Sequence, residues 1–170
     1  TALYYFQRMQ EVASSSANRL TAMIGILRCN HHIGDQTATI QAATQLLEQD
    51  NLTTDIRNEA LYCRAKGHLH DKQYGLAVVD LTPLAKEVRT AWGAEAKYQL
   101  ADCYFHLGAI DMAEHEIMSF TQLQTSHQYW LAKSLILLSD INVERHEIFQ
   151  AKQYLLALQS NYKLQDDIPA

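Results

Sequence analysis

Small and large apolar residues recur along the chain in a fixed order. Leu100-Ala101 and Tyr104 are followed by Gly108, then by Ala113, Ile117 and Phe120. A small residue thus stands nine positions after the tyrosine, with large apolar residues four and seven beyond it. Leu138-Ser139 and Asn142 lead in the same way to Ala151, Leu155 and Leu158. Ala65 and His68 lead to Ala77, Leu81 and Leu84, and Leu27 and Asn30 lead to Thr39, Ala43 and Leu46. The anchors Thr39, Ala77, Ala113 and Ala151 are 38, 36 and 38 residues apart, and Ala2 lies 37 before the first. Apolar residues at +4 and +7 form a stripe on one helical face. A small anchor lets two helix axes cross at close range. A second small column precedes it in three copies (Ala65, Ala101, Ser139), with Leu27 as the exception. The pattern predicts a repeated helical hairpin.

The elements expected are a half-unit helix over 1–13 and hairpins over 18–48, 54–88, 94–122 and 126–162. The helices pair as 18–31 with 36–48, 54–70 with 73–88, 94–106 with 110–122, and 126–145 with 149–162. Gly34-Asp35 and Gly108 mark turns where a left-handed residue is tolerated. Asp50-Asn51 and Thr53-Thr54-Asp55 offer N-caps for the second hairpin. Pro83 falls inside an expected helix, where proline costs roughly 3 kcal/mol, so a kink or break is expected near Asp80–Thr82.

Composition narrows the classes. Six glycines and two prolines in 170 residues are too few for the many turns of a β-sandwich or barrel. Apolar residues make up 48%, enough for a core. Fourteen basic against 19 acidic groups disfavour a generic phosphate-backbone binder, so nucleic acid is not expected as a partner. No apolar run is long enough to span a membrane. The sequence opens on Thr1 without a signal peptide and is expected to be a piece of a longer protein. Cys29, Cys63 and Cys103 are far apart and suggest neither a disulfide framework nor a zinc ribbon.

On Leu100-Ala101, Tyr104, Gly108, Ala113 and Phe120, and next on Leu138-Ser139, Ala151, Leu155 and Leu158, the chain resembles the tetratricopeptide (TPR) repeat family. The upstream units match less well. Arg64 and His68 replace apolar residues in one, Asn30 replaces tyrosine in the other, and none has the closing proline. The resemblance covers essentially the whole chain and is nearest to bacterial TPR proteins of the cell-envelope type. It implies an all-α fold, a right-handed superhelical α-solenoid of antiparallel helix pairs with about four repeats plus a leading half-repeat. It also implies a non-catalytic scaffold or adaptor without cofactors, and leans the location toward the periplasm or cell envelope.

In such arrays the first helix of each pair lines a concave surface that captures protein or peptide segments. The matching residues give a candidate partner-binding face of Arg28, His31, Tyr62, Lys66, Tyr98, Asp102, Phe105 and Asp140, with Glu59, Glu95, Lys133, Ile136 and Val143 beside them. One column reads Arg28, Lys66, Asp102, Asp140, basic and then acidic. Rigid rings flanked by charges suit peptide capture. A chaperone-tail clamp is not expected, since only Arg28 among Ile24, Arg28, Cys63, Glu95 and Gln99 suits a carboxylate.

The alternative function is a metal-binding regulatory or catalytic helical domain built on the eight histidines. His32, His70 and His106 occupy equivalent places, although stacked units would set them too far apart for one ion. Histidines at helix ends also serve as caps. His115-Glu116 and His146-Glu147 lack the second histidine of a zincin, and there is no phosphate loop or nucleophile elbow. Trp92 and Trp130 are equivalent and read as packing between hairpins. The apolar face of Tyr154, Leu155 and Leu158 in the last hairpin implies self-association through an end, or flanking repeats.

Overall fold

Four helix starts follow side-chain capping chemistry. A computed structural model describes residues 1–162, the Asn161 side chain excepted. Among the described residues the only regular elements are helices: α1 (Ala2–Val12), α2 (Ser16–Ile33), α3 (Gln36–Leu47), α4 (Thr54–His70), α5 (Tyr74–Leu84), α6 (Ala91–His106), α7 (Ile110–Gln122), α8 (Gln128–Glu144) and α9 (Ile148–Asn161). The side chains of Ser15, Asp35, Thr53 and Thr90 each accept the backbone N–H three residues on, opening α2, α3, α4 and α6. Of the caps expected before the second hairpin, Thr53 is the one used.

Four turns share one backbone geometry. Gly34, Lys72, Gly108 and His146 all have positive φ, of 81°, 56°, 72° and 63°. Each stands five residues before Thr39, Ala77, Ala113 or Ala151. In each turn the next N–H donates back to the carbonyl five residues earlier. Asp35 donates to Asn30 (3.1 Å), Gln73 to His68 (2.8 Å), Ala109 to Tyr104 (2.9 Å) and Glu147 to Asn142 (2.8 Å). This is the Schellman closure. Each anchor is then the fourth residue of its helix, and all four are buried. The second column (Leu27, Ala65, Ala101, Ser139) is buried as well. In the last hairpin the two columns touch, where the Ser139 hydroxyl donates to the Ala151 carbonyl at 2.9 Å.

The chain divides into two compact units, Thr1–Asp80 and Leu81–Ala170, with the boundary inside α5. In the first, α1 packs on α2, α2 on α3 and α3 on α4, and α2 also touches α4. Its core joins Leu27, Ala43, Leu46, Ala60 and Cys63, with Ile24, Ile56 and Tyr62 at the margin. The Phe6 ring of α1 lies so close over Gly25 that no Cβ fits there. In the second unit, α6 packs on α7, α7 on α8 and α8 on α9, and α6 also touches α8. Its main core joins Ala101, Ala113, Ile117, Leu137, Leu138 and Ile141. A smaller cluster of Val88, Ala94 and Phe120 is flanked by Trp130. Within each unit, contact of these consecutive helices, and of α2 with α4 or α6 with α8, buries faces that no single helix could bury alone.

Of the kink or break expected near Asp80–Thr82, the break does not occur. Helix α5 runs through those residues and ends at Leu84, just past Pro83, whereas the pattern had extended it to Val88. Pro83 has no N–H to offer the carbonyl four residues back, and the helix ends one residue beyond it.

Candidate partner-binding faces

The first unit gathers four of the expected residues between α2 and α4. Arg28, an α2 residue, reaches Glu59 on α4 in a two-pronged pair, with Nε to Oε1 at 2.6 Å and Nη2 to Oε2 at 2.8 Å. The carboxylate raises the guanidinium pKa, chiefly through this hydrogen bond. His31 meets the Tyr62 ring edge-on at 6.4 Å, and Lys66 Nζ lies 5.8 Å from the centre of the same ring. The spacings 28, 31 on α2 and 59, 62, 66 on α4 place all five side chains on one surface. Glu59 offsets the charge of Arg28, and the Lys66 ammonium lies beside the Tyr62 ring. Beside it a cavity of about 510 Å³ is lined by Phe6, Ile24, Gly25, Arg28, Cys29 and His32, among others.

In the second unit Tyr98, Asp102, Lys133 and Asp140 form a neighbourhood of α6 and α8. Tyr98 stacks on Trp130 with centroids 5.6 Å apart and planes at 28°. Lys133 Nζ sits 5.0 Å from the Tyr98 ring, 5.5 Å from Tyr129 and 5.6 Å from Trp130. Burial, followed by the carboxylate of Asp102, pushes the Tyr98 phenol up to about 12. Burial also raises Asp102, against the opposing pull of His106 and Lys133. Phe105 is half-buried, packs on the core and meets His106 edge-on at 5.9 Å, whereas Asp140 is exposed. Tyr98 and Phe105 therefore hold the unit together as well as fronting it. A second cavity, of about 450 Å³, is lined by Tyr129, Ala132, Lys133, Ile136, Leu158 and Gln159, among others.

Sequence reasoning missed the ring cluster around Lys133. Trp130 stands three residues before Lys133 on one face, which was a usable signal. Tyr129 stands four residues before Lys133, the other spacing that shares a helix face, and was equally usable. Also missed was Asp80, which is buried and meets Arg64 at 2.7 and 2.9 Å.

The histidines do not converge. Among the described residues no three His, Cys, Asp or Glu side chains form a group able to hold a metal ion. His68 pairs with Gln73 at 2.8 Å, His70 with Asp71 at 3.0 Å, and His106 with the Asp102 carbonyl at 2.9 Å. Cys63 and Cys103 are buried, and burial pushes both thiols up to about 12, so they stay protonated at neutral pH. Among the described residues no helix is long and apolar enough to cross a membrane.

Compared with known protein families, curated proteins and solved structures, the chain matches none.

Proposed function

We propose that the chain is a helical-repeat scaffold of the tetratricopeptide kind that works by binding segments of other proteins rather than by catalysis. The observation that carries this reading is the α2–α4 surface, where an aromatic ring, an imidazole, an ammonium and a guanidinium are held together on rigid helices. Tyr62 and the His31 ring against it supply contact area at low entropy cost, and the Lys66 ammonium at the ring favours acidic segments. The repeated turn geometry supports a repeat architecture, in which first-helix faces are the usual place for a ligand. The two buried thiols, kept protonated, are poor nucleophiles and fit a binding role.

Selection of a displayed random-peptide library on the full chain tests it. Enriched sequences should carry acidic residues around an apolar anchor. Tyr62→Ala and Lys66→Glu should each weaken a selected peptide at least tenfold, which is about 1.4 kcal/mol, while the helical circular dichroism is retained. No enrichment over a scrambled library, or peptides indifferent to both variants, would overturn the proposal.

A further inference from the structure

The second unit carries an apolar face whose counterpart in the preceding hairpin is covered. Shifting by 38 residues maps Ile117 onto Leu155 and Tyr98 onto Ile136. Ile117 of α7 is 1% exposed because α8 packs over it, whereas Leu155 of α9 is 47% exposed. Tyr98 of α6 lies under Trp130 and Lys133 of α8, whereas Ile136 of α8 is 47% exposed. Val143, two turns beyond Ile136, is also exposed, and the 450 Å³ cavity opens between Ile136 and Leu158. These positions have the chemistry of a helix-packing surface, and among the described residues no further helix packs over them.

The charges on α8 point to its occupant. Lys133, Ile136 and Asp140 lie on one side of the helix at i, i+3 and i+7. A second α8 laid antiparallel across a two-fold axis at Ile136–Leu137 sets each Lys133 opposite the other copy's Asp140. The seven-residue separation, about 10 Å along the axis, is matched on both strands of such a pair at once. A two-fold interface must be self-complementary, and a cation and an anion on one side of α8, with exposed Ile136 between them, meet that condition about their midpoint. We propose that this chain forms a symmetric dimer through the α8–α9 face, with α8 antiparallel to α8 of a second copy. The helix of 17 residues is about 25 Å long, and with α9 alongside the face is about 20 Å wide. That is at the small end of specific interfaces.

Sedimentation equilibrium of the full chain from 1 µM to 1 mM tests this. The expected result is a reversible monomer–dimer transition. Leu155→Glu and Asp140→Lys, both at exposed positions, should each raise its midpoint at least tenfold with unchanged circular dichroism. The double swap Lys133→Asp with Asp140→Lys restores the opposite-charge pairing and should bring the midpoint back. A chain that stays monomeric throughout overturns the proposal. So does a dimer whose midpoint neither Leu155→Glu nor Asp140→Lys moves, or one that the charge swap fails to restore. The peptide surface on α2–α4 is untouched by these variants, so either proposal can fail alone.

Discussion

Asp102 shows what a single side chain contributes when burial and charge disagree. Its carboxyl is half withdrawn from water, and burial raises its pKa more than His106 and Lys133 lower it. A carboxyl whose folded pKa lies above its unfolded one stabilises the fold fully only below the unfolded value, near pH 4, and that contribution is lost as pH rises through the folded value. At neutral pH the ionised group therefore opposes folding. Asp102→Asn is expected to melt higher than the parent at pH 7, with the gap closing as the pH falls toward 4. Thermal melts at the two pH values check this. A variant that melts lower at pH 7 would mean that His106 and Lys133 outweigh burial. The position of Asp102 on the first-helix face was legible from its spacing to Tyr98. Its withdrawal from water was not, because it depends on how α8 lies over α6.

At the scale of the element, the helices were legible almost to the residue where capping and turn chemistry are local. The expected 54–70 and 110–122 coincide with α4 and α7. Two of the four hairpin turns were marked by glycine, at 34 and 108, because only glycine takes positive φ without steric cost. The other two, at Lys72 and His146, left no trace in residue type and emerge only from register with the anchors. An L-residue in that conformation costs about 1–2 kcal/mol, from which the extra freedom of an unfolded glycine must be subtracted. Lys72→Gly and His146→Gly are each expected to stabilise the protein by about 0.5–1 kcal/mol, read as a higher denaturant midpoint at unchanged slope. Glycine at Asp71, where φ is −84°, serves as the contrast and should destabilise. Loss of stability at both Lys72 and His146 would mean that those side chains make contacts outweighing the backbone relief.

Across the whole molecule, the repeat was most legible where its columns are apolar and least legible where the first unit substitutes polar residues. Arg64 and His68 read as defects in the pattern, yet each has a partner that sequence spacing does not reveal. His68 bonds Gln73 across the turn, and Arg64 spans three helices, reaching Asp80 on α5 and Thr44 on α3 (3.2 Å). The Asp80 carboxylate is almost wholly buried while Arg64 keeps some access to water, and the pair raises the Arg64 pKa, mainly through their hydrogen bonds. A buried ion pair is costly to break from one side, because the survivor is left without compensation, but removing both partners together is far better tolerated. Asp80→Asn is therefore expected to cost about 3 kcal/mol, at the lower end of such losses because Arg64 can turn partly to solvent. Replacing both, as Arg64→Leu with Asp80→Leu, should recover most of that loss and bring the second hairpin closer to the apolar pattern of the third. Urea unfolding of the three proteins decides the matter. If Asp80→Asn unfolds within about 0.5 kcal/mol of the parent, the pair is surface-like in its energetics and α3, α4 and α5 are held by their apolar columns alone.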